Sequence, residues 1–159
     1  MLIITAGRTG PNRALRFGGD PSLDDAGRRS VMALALPDDV GVVAVGPERA
    51  ATETAALLGS GRVAGRVVDD LRTLDVGAWT GRLPEEIPPP ELGAWLADPE
   101  SRPHGGESIS DFVARIQAWR TTTSVSACVV SMPVAQALLV DDPARYFVVE
   151  VRPGTIYQR

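Results

Sequence analysis

Short apolar runs of strand length alternate along this chain with stretches of helical pattern, and that alternation limits the folds open to it more than any other feature. Leu2-Ile3-Ile4, Val42-Val43-Ala44-Val45, Arg66-Val67-Val68-Asp69 and Ala127-Cys128-Val129-Val130-Ser131 read as strands. Helices are expected from Ser22-Leu23-Asp24-Asp25-Ala26-Gly27 to about Leu36, over Arg49 to Leu58, and over Pro133 to Val140. Strands alternating with helices build a mainly parallel sheet covered on both faces, because parallel neighbours must be joined by a crossover. The expected fold is a three-layer α/β/α sandwich, one domain over residues 1–159. Tyr146 to Val151 and Thr155 to Gln158, around Pro153-Gly154, read as a terminal hairpin that gives the sheet an antiparallel edge.

The clearest helix carries Ile109, Phe112, Val113, Ile116 and Trp119 on one face at the three-four spacing, behind a Ser108 and Asp111 start. Prolines 84, 88, 89, 90, 99 and 103 punctuate an insertion at about 82–106, with a short helix over Glu91 to Ala97. Linkers are poor in large apolar residues, so Trp79, Leu92 and Trp95 mark this insertion as a flap lying on the domain. Trp79, Trp95, Phe112 and Trp119 read as core or flap packing, whereas an exposed Trp95 would mark a partner surface.

A net charge of -4 argues against nucleic acid or an anionic membrane as partner. All 16 basic residues are Arg, so their abundance is a compositional trait and not by itself phosphate recognition. The one cysteine, Cys128, sits in an apolar run and reads as a buried thiol of a reducing compartment. With His104 the only histidine, the usual nitrogen and sulfur ligands are lacking, and no metal or other cofactor is expected. No apolar run approaches the ~18 residues of a membrane span, and no signal-like segment opens the chain; a cytoplasmic protein is expected.

The first strand runs into Thr5-Ala6-Gly7-Arg8-Thr9-Gly10-Pro11-Asn12, a glycine-rich loop at the strand end where open α/β sheets bind ligands. This stretch resembles the Arg-His-Gly-Glu/Gln-Thr-x-x-Asn motif of the histidine phosphatase superfamily, the phosphoglycerate mutase-like proteins. Four later segments are similar to that family's motifs, in the same order. Gly46-Pro47-Glu48-Arg49-Ala50-Ala51-Thr52-Glu53-Thr54-Ala55 stands for Ser-Pro-Leu-x-Arg-Ala-x-Gln-Thr-Ala. Leu71 to Gly81 stands for Leu-x-Glu-x-x-x-Gly-x-Trp-x-Gly, and Pro103-His104-Gly105-Gly106-Glu107-Ser108 for Pro-x-Gly-Gly-Glu-Ser. Val129-Val130-Ser131-Met132-Pro133 stands for Val-Val-Ser/Thr-His-Gly.

In that family the first-motif His takes up a phosphoryl group, two Arg and a second His hold the phosphate oxygens, and a Glu protonates the leaving group. Carried over residue by residue, the nucleophile becomes Ala6, its neighbouring Arg becomes Thr5, and the second-motif Arg becomes Ala50. The acid becomes Thr73 and the second His becomes Met132. None retains the needed chemistry, and losing one such electrostatic donor typically costs on the order of 100-fold in rate. The resemblance therefore implies a catalytically degenerate member, a pseudoenzyme with no catalytic residue at the family positions.

Ligand-binding candidates are Thr5, Arg8, Asn12, Arg49, Thr73, His104, Glu107 and Met132. Arg8 and Arg49 either rebuild an anion site by another route or are surface residues engaged on a loop and a helix. His104 and Glu107 either pair at the rim of the site, or His104 is an idle loop residue. One expectation is thus a former phosphate pocket that binds a small ligand or protein partner. The alternative is an enzyme of altered chemistry, or a weak phosphatase or mutase, using Arg8, Arg49, His104 and Glu107 at the same mouth. A third is a structural subunit, a homodimer among its forms, with a filled pocket and an exposed apolar patch.

Overall fold

The computed structural model describes residues 1–10, 16–38, 40–58 and 64–159. Five strands form one sheet: β1 (Leu2–Thr5), β2 (Val42–Val45), β3 (Ala64–Val67), β4 (Ala127–Val130) and β5 (Ile156–Gln158), in the order β3-β2-β4-β1-β5. β1 to β4 run parallel to their neighbours and β5 lies antiparallel on β1. The helices are α1 (Asp25–Met32), α2 (Arg49–Leu58), α3 (Pro89–Ala97), α4 (Ile109–Thr122) and α5 (Met132–Leu139).

Because strand side chains alternate, the register Ile3↔Cys128 and Ala44↔Cys128 sets two rows of apolar residues on opposite faces. Ile3, Ala44, Cys128 and Val130 pack with Phe112, Ile116, Val134 and Leu138 of α4 and α5. Ile4, Val43, Val45 and Val129 pack with Ala50, Ala51 and Ala55 of α2. Covering both faces explains why β2, β4 and β1 up to Ile4 are continuously apolar, and burying a residue such as Phe112 or Ile116 contributes about 2–3 kcal/mol. All five members of the α4 stripe are buried, and the Ser108 hydroxyl caps the helix by accepting from the Asp111 amide at 3.0 Å. Burial in β4 pushes the Cys128 thiol up to about 12, so this sulfur is a packing group.

Three elements differ from the sequence expectation. The antiparallel edge is present, but β5 makes it alone against β1, with Ile4↔Ile156 in register. Its expected hairpin mate is instead a 3-10 segment, Pro143–Val148, drawn onto α5. There the Tyr146 hydroxyl donates to the Pro133 carbonyl and Gln136 donates to the Val149 carbonyl at 2.9 Å, taking an acceptor a strand would need. α1 ends at Met32, where Leu34 and Leu36 turn back against the apolar layer of α2. β3 covers Ala64–Val67, its register fixed by Val42↔Ala64, because Asp69–Leu71 turns into a 3-10 segment.

The proline-rich insertion packs onto the domain. Prolines occupy the start of α3, where a missing N–H costs nothing. Trp95 is buried against Trp79 at 5.6 Å, Phe17 at 5.8 Å and Phe147 at 4.7 Å between ring centroids. Among the described residues no helix is long and apolar enough to cross a membrane.

Candidate functional site

Since β2, β4 and β1 are parallel neighbours, their C-terminal ends open side by side. The Ala6 amide donates to the Val130 carbonyl at 2.7 Å, and the Gly46 amide donates to the Val129 carbonyl at 2.9 Å. These two bonds carry the sheet one residue past β1 and β2 and bring the first, second and fifth motifs to one edge.

At that edge, the positions that would carry phosphoryl chemistry are small or apolar. Ala6 is 7% exposed, and Ala50, in the first turn of α2, is buried in the apolar layer that α2 makes with the sheet. The Thr5 side chain is buried, its hydroxyl donating to the Arg152 carbonyl at 2.6 Å and accepting from the Thr155 amide at 2.9 Å. Thr5 thus ties the C-terminal loop to β1, with its one hydroxyl donor committed there. Met132 opens α5 and offers no charge. Asn12 lies outside the described residues.

The loops around this edge are braced by buried polar and backbone contacts. The Thr54 hydroxyl is buried, accepts from the Gly7 amide at 2.9 Å, and donates to the Ala50 carbonyl at 2.7 Å. The third and fourth motifs are joined backbone to backbone: Ala78 donates to His104, and Glu107 donates to Asp75, each at 2.9 Å. Gly77, at φ +45°, and Gly106 stand at the crossing. A Cβ on Gly77 would collide with the His104 carbonyl oxygen, and one on Gly106 with the Asp75 carbonyl oxygen.

The Glu107 side chain belongs to this brace. Both its oxygens accept from Arg115, at 2.8 and 2.9 Å, while Arg115 also donates to the Asp70 carbonyl at 2.7 Å. Burial pushes the Glu107 carboxyl up, but Arg115 and the Asp75 amide outweigh it and hold it below the usual carboxylate range. Its partner is therefore Arg115 and not His104. His104 itself is 3% exposed: its Nδ1 accepts from the Gly106 amide at 3.0 Å and its ring packs edge-on against Trp79 at 4.9 Å. It is not an open rim residue, and burial lowers its pKa against the pull of Asp75.

Arg8 and Arg49 lie with the segment that precedes α1. Arg8, 52% exposed, pairs with Asp24 at 2.9 Å. The Arg49 amide donates to Asp20 at 2.6 Å, and its guanidinium reaches the Ser22 hydroxyl at 3.5 Å. The four residues of the altered-chemistry expectation thus fall into two groups: Arg8 and Arg49 near Asp20 to Asp24, and His104 and Glu107 in the joined motifs.

Glu48 stands between these groups, and the sequence reading does not single it out. It ends β2's loop and folds back so that one carboxylate oxygen accepts from the Thr73 amide. Its Oε2 is shielded from solvent and has no hydrogen-bond partner among the described residues; the same holds for the Ser131 hydroxyl at the end of β4. Leaving such a group unsatisfied costs about 1–3 kcal/mol, more when it is charged. Burial raises the Glu48 pKa, only partly offset by the Thr73 amide and Glu48's own amide. The available signal was a carboxylate where the motif has Leu, masked because an acidic residue before a helix reads as ordinary helix-start chemistry.

Residues 1–127 match the sequence profile of the histidine phosphatase superfamily, branch 1, and the chain belongs to that superfamily. A mycobacterial glucosyl-3-phosphoglycerate phosphatase, solved with VO3, superposes with a TM-score of 0.78 at 24% identity, over 98% of this chain and 90% of that one. A protein of Thermus thermophilus superposes at 0.75 with 26% identity, over 98% and 89%. A bifunctional protein of Mycobacterium tuberculosis and an uncharacterized protein of Mycobacterium bovis are each 33% identical over 130 residues. That stretch is 76% of this chain but only 36% of theirs, so the chain spans about a third of the length of these relatives.

Proposed function

We propose that this chain is a superfamily member that has given up phosphohistidine chemistry and uses the former phosphate site to bind a small ligand or a protein partner. The observation that supports this reading most is Ala6. It stands at the end of β1 where the family's nucleophile belongs, beside a Thr5 whose hydroxyl is already committed to the C-terminal loop. Neither Ala nor Met can accept a phosphoryl group or hold its oxygens, and a carboxylate, Glu48, now lies at the same strand ends. An anion meets fewer donors here and one additional negative group.

The test is thermal denaturation of the full chain in inorganic phosphate against sodium chloride of equal ionic strength. The reading expects the two curves to coincide. A saturable rise in Tm with phosphate would contradict it, because a ligand that binds the folded chain stabilises it as its concentration rises above Kd.

A further inference from the structure

We infer that the cavity beside the edge strand β3 is a second binding site, and that its ligand class is a small α-amino acid with a branched apolar side chain. Arg66 receives the carboxylate and Asp70 the ammonium, over a floor of Ala44, Val68, Trp119 and Val125. None of the former phosphate-site positions lines this cavity, so the inference is independent of the binding reading above.

The sheet register explains why the cavity exists. Cys128, Ala44 and Arg66 stand side by side across β4, β2 and β3, so their side chains share the face that α4 and α5 cover. Cys128 and Ala44 are buried there, whereas Arg66 on the edge strand is exposed, so the helical layer ends between β2 and β3. Ala44 is small at that boundary, and Trp119, in the last turn of α4, supplies a large apolar wall. Val68 and Val125, both packed against the same core, complete the floor. The space left is about 250 Å³ and is partly open to solvent. Sites for drug-sized ligands run to roughly 300–1,000 Å³, so this one suits a molecule of amino-acid size.

Two opposite charges line this one cavity, on positions that the fold holds. Arg66 is set by the β3 ladder opposite Ala44. Asp70 sits in the 3-10 turn after β3, where its carbonyl accepts from Arg115 at 2.7 Å and the next residue, Leu71, is fully buried. Although they share the cavity, no ion pair joins Arg66 to Asp70. A ligand that carries both charges a few bonds apart satisfies each. The guanidinium donates two parallel hydrogen bonds to a carboxylate, and the aspartate accepts from an ammonium. The ligand's apolar side chain then lies on the valines and the indole. A peptide terminus carries only one of the two charges, and a phosphate ester would meet Asp70 as a like charge, which singles out the free zwitterion.

The experiment is an NMR titration of the full chain with L-leucine at constant ionic strength, read at the Trp119 indole N–H resonance, which Trp119→Phe identifies. Isocaproate, which is leucine without its amino group, is the parallel arm. The Trp119 resonance is expected to move saturably with L-leucine. Arg66→Met should weaken both ligands about fivefold, and Asp70→Asn should weaken L-leucine about fivefold without weakening isocaproate. Both substitutions fall at exposed positions, where such changes leave the fold intact. No saturable movement, or L-leucine binding that either variant leaves unchanged, overturns the inference. So does a dimer in light scattering that Arg66→Met dissociates, because the face would then be an interface between copies of the chain.

Discussion

Two regions of this molecule, a few residues apart at the same strand ends, have kept different parts of the family's pattern. At the braces the motif residues are present and engaged: Thr54 receives the Gly7 amide, Glu107 crosses to the third motif, and Gly77 and Gly106 let two backbones touch. The positions between them, Thr5, Ala6, Ala50, Thr73 and Met132, carry no charge and no imidazole. The contrast shows that the loops are held in place by backbone contacts and buried polar pairs independent of the phosphate-holding side chains.

That contrast breaks if the brace proves dispensable. Gly106→Ala, which drives a Cβ into the Asp75 carbonyl oxygen, should cost about 3 kcal/mol and lower Tm by about 6–12 °C in circular dichroism melts. Arg115→Met leaves the half-buried Glu107 carboxylate without its partner and should cost about 2–3 kcal/mol by urea denaturation. Thr54→Val keeps the shape but orphans the Gly7 amide, for about 1–2 kcal/mol by the same measurement. On the other side of the comparison, Met132→Leu should cost less than about 1.5 kcal/mol, since a volume-conserving apolar exchange removes no charge.

The two regions should also separate in their pH dependence. His104 belongs to the brace, and burial lowers its pKa, so the folded chain binds fewer protons there than the unfolded one. Its stabilisation is present above the unfolded value near 6.5 and is lost as pH falls through that value. Tm should decline from pH 7 toward pH 5, and His104→Gln should flatten the decline. Glu48 runs the other way: with its pKa raised, burying it becomes less favourable as pH climbs above the ordinary carboxylate range. Glu48→Gln should gain Tm relative to wild type at pH 8 and lose that advantage near pH 4.

Much of the frame was readable because it is periodic. The apolar runs of β1, β2 and β4 and the α4 stripe follow from alternation and the three-four spacing, and the structure buries them but for Val42 and part of Leu2. The terminal hairpin was not, because Tyr146 and Val149 look like strand residues until Pro133 and Gln136 of α5 claim their polar groups. His104 could be placed in a loop but not under Trp79 and Trp95, since a ring's burial depends on residues distant in sequence. Glu48 escaped for the same reason. Its significance lies in the Thr73 amide 25 residues away and in the missing side chain at Gly46, neither of which local pattern reports.

The central claim is that the frame persists while phosphoryl transfer does not, and steady-state hydrolysis addresses it directly. The purified chain is assayed with p-nitrophenyl phosphate and with sugar phosphates, beside an Ala6→Asp variant. Rates equal to the blank for both proteins are the predicted result; turnover by the wild type that Ala6→Asp abolishes would contradict it.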